Sequence, residues 1–271
     1  MMRFHRFTAA AAVGIFIGGI AGPGLGPAQD VLEKNAAVPK LISPVDLDCS
    51  PFIMETAPQL RISVPLQGGE RTLLADGDQF LVDPVPGVES FAEGSLWSIL
   101  EWGPKVRGER TSGPLGNAVF LRGRARVLRM EAGRAVMEVV KSCGAVTTGL
   151  LLVPYIKGDI LTGAESSYDI PFREEGVPAG RVVFIESGWS DIVARGHWVL
   201  VDIGTDQGLA PGRQMTFYRE EADKTPRPIG NSVVVWTGPR WATLKILNSK
   251  DSILSGDLVQ PKPGTSPIKR G

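Results

Sequence analysis

Residues 229–261, IGNSVVVWTGPRWATLKILNSKDSILSGDLVQP, decide the fold because the chain contains this stretch twice. A shift of 107 residues places residues 122–154, RGRARVLRMEAGRAVMEVVKSCGAVTTGLLLVP, on it without a gap. The matched positions pair glycines, apolar residues, a serine and a proline: Gly123 with Gly230, Ala135 with Ala242, Met137 with Leu244, Val139 with Ile246, Ser142 with Ser249, Gly149 with Gly256 and Pro154 with Pro261. The repeat predicts two related structural units.

Apolar and polar residues alternate along both copies, which is the pattern of strands with one buried face. Ala242, Leu244 and Ile246 fall on one face of their strand, and a slip of one residue would exchange the two faces. The 33 glycines and 21 prolines suit many turns between short strands rather than long helices. We therefore predict an all-β protein of two tandem, related, small antiparallel β-barrels, because closure removes exposed sheet edges.

The predicted order of segments follows from the repeat and from the Gly/Pro-rich stretches between strands. It comprises a signal peptide at 1–28, an extended N-terminal segment at 29–57, a first barrel at 58–156, a linker at 157–180, a second barrel at 181–261 and a disordered tail at 262–271. Within the first barrel, we predict an exposed, charged hairpin loop at 105–116.

The first residues have the features of a secretory signal. Arg3 and Arg6 precede an uncharged apolar run at 7–20, and Gly26-Pro27-Ala28 is a small-x-small cleavage site. The alternative is an uncleaved membrane anchor, but the run is shorter than the roughly 20 residues that span a bilayer. We predict an exported protein, periplasmic or secreted, with no stable membrane span after cleavage.

The predicted export determines how the two cysteines of the chain are interpreted. An oxidising compartment favours a Cys49–Cys143 disulfide, which would tie the N-terminal segment to the first repeat. In the chain-entropy model a bridge over so long a loop stabilises by roughly 4–5 kcal/mol. Two separate buried thiols are the alternative.

Several functional classes lack their signatures. With 29 basic and 29 acidic residues, the chain shows no basic excess for a nucleic-acid partner. After cleavage His197 is the one histidine left, so the sequence offers no zinc ligand set and no recognisable nucleophile–histidine motif. We expect His197 to be an ordinary surface residue, and we predict no metal and no cofactor.

Carboxylates and tryptophans remain as candidate functional groups. A glycosidase-type pair could come from Asp202, Asp206 or Asp257, although each lies in a turn, where Asp commonly accepts from backbone amides. Trp236 and Trp241 flank the hairpin tip Trp-Thr-Gly-Pro-Arg-Trp, with Arg240 between them. This tip could stack on a sugar or anchor a protein partner. The alternative is that its indoles cap the barrel end.

The second unit resembles the C-terminal domain of bacterial cell-envelope proteins that often carry a LysM module, and it is similar to the C-terminal SH3-like barrel of flagellar assembly protein T. The resemblance lies in the segments VDIG at 201–204, GLAPG at 208–212, FYR at 217–219, IG at 229–230 and ILSGDLV at 253–259. The first unit resembles exported proteins with a Cys-x-x-Phe-Ile run, here at 49–53, and a Ser-Cys pair, here at 142–143. The resemblance implies SH3-like barrels.

Two departures from that family limit what the resemblance implies. No LysM module is present, so peptidoglycan binding does not carry over, and Leu150 replaces the turn residue Asp257 in the first copy. We predict a non-enzymatic interaction or scaffold protein of the cell envelope, whose partners are envelope proteins or cell-wall glycan. The rival predictions are a peptidoglycan- or glycan-binding module and a carboxylate-dependent glycan hydrolase.

Overall fold

The computed structural model describes residues 40–66, 72–87, 91–109, 113–158, 161–162, 176–186, 192–263 and 269–270. These residues belong to one compact unit, Val38–Gly271. The predicted signal peptide lies outside the described residues. Strands in antiparallel sheets make up nearly all of the regular structure, so the all-β prediction is confirmed.

The N-terminal half contains one helix and a series of strands. They are β1 (Lys40–Ile42), α1 (Pro44–Asp48), β2 (Pro51–Met54), β3 (Ile62–Pro65), β4 (Leu73–Leu74), β5 (Gln79–Val82), β6 (Leu96–Arg107), β7 (Pro114–Glu131), β8 (Arg134–Ser142), β9 (Val146–Thr147), β10 (Leu151–Pro154) and β11 (Leu161–Thr162).

The C-terminal half adds a further nine strands among the described residues and one 3-10 helix, Thr205–Gln207. The strands are β12 (Gly180–Ile185), β13 (Ile192–Val193), β14 (Trp198–Val201), β15 (Gln214–Glu220), β16 (Pro226–Thr237), β17 (Ala242–Ser249), β18 (Ile253–Leu254), β19 (Leu258–Pro261) and β20 (Lys269–Arg270).

The C-terminal half forms a closed antiparallel barrel with the strand order β12-β14-β17-β16-β15-β19. Its interior is filled by the alternating residues that the sequence assigns to one face, including Ala242, Leu244 and Ile246, all fully buried. Met215 and Phe217 on β15 join the same core. The predicted assignment of these residues to one buried face is therefore confirmed.

The N-terminal half forms a seven-stranded sheet with the path β10-β6-β7-β8-β5-β3, to which β2 is added beside β7. Ala135, Met137 and Val139 lie together in its own core. The two ends of the path approach each other, because the amide of Ile62 donates to Leu150 at 2.9 Å and that of Leu152 donates to Leu60 at 2.9 Å. The six strands of the path follow the order found in the closed barrel.

Three turn glycines of the N-terminal half have equivalents in the C-terminal half, and all six have positive φ. Each donates its amide to a strand residue, and the acceptors of the first two pairs differ by the 107-residue shift. Gly77 donates to Val139 as Gly196 does to Ile246, Gly94 to Val127 as Gly212 does to Val234, and Gly149 to Ile62 as Gly256 does to Val182.

The N-terminal segment lies between the two halves. The Ser43 hydroxyl caps α1 by accepting from the Asp46 amide at 3.2 Å, and the Asp46 carboxylate accepts from the Ser43 amide at 2.8 Å. Pro44 at the first helical position fits this start. The Cys49–Cys143 disulfide, with a Cα–Cα distance of 5.4 Å, then ties the end of α1 to the end of β8. The predicted disulfide is confirmed.

The structure differs from the sequence-based segmentation at three places. Strands β6 and β7 extend into the predicted loop at 105–116, because Val106 and Leu115 are buried in a cluster with Leu200 of the barrel. Residues of the predicted linker form β11, and Lys269–Arg270 of the predicted disordered tail form β20. These two strands and β1 make a three-stranded sheet. Within the described residues no helix has the length and hydropathy of a bilayer span.

Candidate functional site

The predicted contact site is the turn that joins β16 to β17. Within this turn the Gly238 amide donates to the Trp241 carbonyl at 2.9 Å, and the Thr205 amide of the 3-10 helix donates to the Gly238 carbonyl at 2.9 Å. A side chain at 238 would place its Cβ 2.2 Å from the indole nitrogen of Trp241, so only glycine fits. The turn is therefore held by the 3-10 helix and by the packing of Trp241 over Gly238.

Trp236 contacts the N-terminal segment. Its indole Nε1 donates to the Ser50 hydroxyl at 2.6 Å, and the ring is partly buried against a cluster that includes Leu47. A Cβ at Gly158 would lie 2.6 Å from the edge of this ring. Trp236 thus lies between the barrel and the segments that precede and follow the N-terminal sheet.

Trp241 and Arg240 face the N-terminal sheet. Trp241 is partly buried in the cluster that Phe120, Phe184 and Leu200 share between the two halves. Arg240 Nη2 donates to the carbonyl oxygen of Pro114, at the start of β7, at 3.3 Å. Both indoles therefore contact other parts of the same chain, and Arg240 carries the accessible charge of the turn. A contact with a glycan or a partner protein at this tip stays a prediction.

The three candidate carboxylates have different surroundings. Asp202 accepts from the amides of Arg181 at 2.6 Å and Glu109 at 3.1 Å. Asp257 accepts from Arg219 at 3.0 and 2.8 Å and from the Leu254 amide at 2.7 Å. Asp206 is exposed in the 3-10 helix, and its amide donates to Pro239. Asp202 thus holds backbone amides that are distant in the chain, and Asp257 holds the turn before β19 and Arg219.

His197 is exposed, with Nδ1 3.1 Å from the Ala194 carbonyl oxygen. Its position at the turn before β14 agrees with the expected surface histidine. In the part of the chain that the structure describes, no group of three or more His, Cys, Asp and Glu side chains is placed to hold a metal ion.

Two clusters of charged side chains could not be predicted from the sequence, because their members are far apart in the chain. In the first, buried Asp48 lies 3.5 Å from Arg124 Nη2 and 3.4 Å from the Tyr155 hydroxyl. Burial raises the pKa of Asp48, and the charge of Arg124 opposes that rise. The cluster adjoins the disulfide, since Cys49 follows Asp48.

The second cluster lies where the two halves meet. Arg122 on β7 contacts Glu101 at 2.6 Å and Glu186, directly after β12, at 3.4 Å. Burial raises the pKa of Glu186 against the lowering effect of the Arg122 charge. The guanidinium also lies over the Phe120 ring, 4.9 Å from its centroid. One arginine therefore connects two carboxylates of different halves.

An open cleft of about 400 Å³ lies at one end of the N-terminal sheet, lined by Pro58, Leu60, Pro86, Trp97, Leu152 and Pro154 among others. It opens where the segment before β3 and the end of β10 diverge. At the corresponding place in the barrel, Gln260 is buried and its Nε2 donates to the Val177 carbonyl at 3.1 Å. The shift of 107 residues aligns Gln260 with Val153, which lines the cleft. The local sequence does not indicate that this place is an open cleft in the first half and is filled in the barrel.

Comparisons with known proteins add no family assignment. No protein-family model matches the chain, and a search of curated proteins finds no significant relative.

Proposed function

We propose that this is an exported, non-enzymatic interaction or scaffold protein of the bacterial cell envelope, periplasmic or secreted. In this proposal it is built from two tandem, duplicated SH3-like β-barrels. The observation that carries the proposal is the repeated architecture, in which two sheets of equal strand order are joined through a shared N-terminal segment. Such a body offers two related surfaces in a fixed arrangement, as a scaffold requires.

The duplication is supported by equivalent cross-strand pairs. Gly123 opposes Ser142 in the first sheet and Gly230 opposes Ser249 in the barrel. A Cβ at Gly123 would lie 2.0 Å from the Lys141 carbonyl oxygen, and one at Gly230 would lie 2.8 Å from that of Asn248, the aligned residue. Because both copies require glycine for the same close approach, common ancestry of the two units is the simplest explanation.

The proposed export is supported by the disulfide. Disulfides persist in oxidising compartments and are rare in the cytosol, and both cysteines of the chain are bonded to each other. The bridge joins α1 to the first sheet, so the segment between the halves is fixed covalently. The terminal signal features add a second, independent reason to expect export.

The N-terminal segment supports the scaffold interpretation because it holds the two halves in one arrangement. Strand β2 pairs with β7 of the first sheet, while the Thr243 hydroxyl of the barrel donates to the Pro51 carbonyl at 2.9 Å in a buried contact. Lys245 of the barrel also pairs with Asp46 on α1. Trp236 and Trp241 add further contacts between the barrel and the N-terminal half.

Cross-linking pull-down of the tagged, exported protein from its native envelope tests this proposal. We expect recovery of defined envelope proteins, at levels unchanged by removal of wall glycan. Recovery with wall glycan alone would replace the proposal by the glycan-binding alternative, for which loss of retention in Trp236→Phe and Trp241→Phe variants is the next test. Turnover of a glycan substrate that disappears with one carboxylate would instead establish the hydrolase alternative.

A further inference from the structure

Three cationic side chains lie where the β6–β7 hairpin meets the β16–β17 turn. Lys105 and Arg107 are exposed and alternate with buried Val106 on β6, so they point to the same face of that strand. Arg240 reaches the carbonyl oxygen of Pro114, and Pro114 is the cross-strand partner of Arg107. The Arg240 guanidinium therefore lies beside the strand pair that carries the other two. Lys105, Arg107 and Arg240 are together termed the basic edge.

The basic edge differs from the other arginine-rich regions in having no ion pair to any described residue. Eight arginines elsewhere in the described chain are bound to carboxylates, whereas Arg61 donates to a backbone carbonyl. The eight are Arg122, Arg124, Arg126, Arg129, Arg134, Arg181, Arg219 and Arg227. The carboxylates nearest to Lys105 and Arg107 in sequence pair with other arginines: Glu101 with Arg122 at 2.6 Å and Glu109 with Arg181 at 3.0 Å. The positive charge of the basic edge thus remains available to a partner.

The basic edge is also held in place by the core beneath it. Val106 and Leu115, from the two strands of the hairpin, are buried with Leu200 and Trp241. The Trp236 indole faces Ser50 instead of solvent. The surface therefore offers guanidinium and ammonium groups on a fixed support, beside two indoles that are partly buried against other parts of the chain.

We propose that the basic edge is the docking surface for a carboxylate-rich segment of a partner protein, and this rests on the interaction function proposed above. A guanidinium presents a planar set of donors that matches a carboxylate in two parallel hydrogen bonds. One Arg240 nitrogen already donates to Pro114, so its orientation is fixed before binding. Three cations across two adjoining hairpins suit a short acidic segment. Such charges raise the association rate and make binding depend on salt.

Fluorescence anisotropy of a labelled oligoglutamate peptide with the full chain tests the assignment at low and high salt. We expect saturable binding that weakens with salt, and a loss of about ten-fold in affinity in the double variant Arg107→Gln, Arg240→Gln. The matched control is Arg61→Gln, Arg195→Gln. It removes the same charge from two exposed arginines, and Arg61 likewise donates to a backbone carbonyl, that of Gly149, at 3.3 Å. The control should bind within about two-fold of wild type.

A third variant removes a negative charge that would repel an acidic peptide. Asp206 is exposed next to the same turn, because its amide donates to Pro239. Asp206→Asn should therefore bind the peptide more tightly, by a small factor. All variants are compared only after circular dichroism and thermal unfolding show the wild-type fold, and Lys105→Gln with Arg107→Gln replaces the double variant if Arg240→Gln unfolds.

Three outcomes of the binding assay overturn the proposal: no binding to the peptide, an equal loss in the Arg61/Arg195 control, or tighter binding of a phosphate polymer of equal charge. The envelope pull-down separates this failure from failure of the scaffold function. If the Arg107/Arg240 variant still recovers the same envelope proteins, the basic edge is not their docking surface and the scaffold proposal stands. If wild type recovers none, the scaffold proposal itself fails.

Discussion

Buried hydroxyl groups of the barrel strands affect the free energy of unfolding according to whether they are hydrogen-bonded. Two threonines illustrate the two cases. Thr216 and Thr243 are both fully buried. The Thr243 hydroxyl donates to the Pro51 carbonyl, whereas the Thr216 hydroxyl has no hydrogen-bond partner. Burying an unpaired hydroxyl costs about 1–3 kcal/mol, whereas a satisfied one contributes about 1 kcal/mol net.

Valine has nearly the shape of threonine and lacks the hydroxyl, so it separates these cases. We expect Thr216→Val to raise the free energy of unfolding by about 1 kcal/mol and Thr243→Val to lower it by about 1 kcal/mol. Urea unfolding followed by tryptophan fluorescence measures both. A destabilised Thr216→Val variant would show that its hydroxyl is satisfied in solution.

Asp257 is a second residue with a predictable effect on the free energy of unfolding. Its carboxylate is buried and accepts two hydrogen bonds from Arg219. Removing this carboxylate deprives Arg219 and the Leu254 amide of their acceptor, while Arg219 keeps its pair with Asp251 at 3.4 Å. Hydrogen bonds to charged groups contribute about 1.5–3 kcal/mol, so Asp257→Ala should lower the free energy of unfolding by that order. Asp83→Asn is the control, since it breaks an exposed pair with Arg134 and should have little effect. Equal urea midpoints for the two variants would contradict the prediction.

At the scale of elements, the disulfide links the end of α1 to the end of β8 and closes a loop with a sequence separation of 94 residues. We expect Cys49→Ser with Cys143→Ser to lower the free energy of unfolding by about 4 kcal/mol, because the open chain has more unfolded conformations. Reduction of wild type by dithiothreitol should give the same shift, and it should leave the double variant unchanged. A midpoint insensitive to reduction in both proteins would show that α1 and β2 are held by their non-covalent contacts alone.

At the scale of the whole molecule, the contact between the two halves contributes one part of the pH dependence of stability. Burial raises the pKa of Glu186 above its unfolded value. Its contribution to stability is therefore fully present below the unfolded pKa and is lost as pH rises through the folded pKa. Glu186→Gln should remove this part of the pH dependence. Urea unfolding of both proteins across the acidic range measures it, and parallel profiles would contradict the assignment.

The alternation of residues and the repeat together predicted much of the fold. A period of two needs only the local strand geometry, so the inner faces containing Ala135, Met137, Ala242 and Leu244 could be assigned before the structure was known. The pairing of Cys49 with Cys143 followed from their number and from the predicted export. The chain fixes these properties itself because they depend on the identity and spacing of residues along it.

The candidate site depended on contacts that no local pattern contains. Whether Trp236 faces solvent is determined by Ser50, and the surroundings of Trp241 by Phe120 and Phe184. The same holds for the basic edge, since Arg240 meets the strand pair of Arg107 only after the two hairpins pack. The sequence by itself determined strand periodicity, duplication and the cysteine pair. The tertiary structure decided which charges and rings remain exposed, because exposure depends on residues distant in the chain.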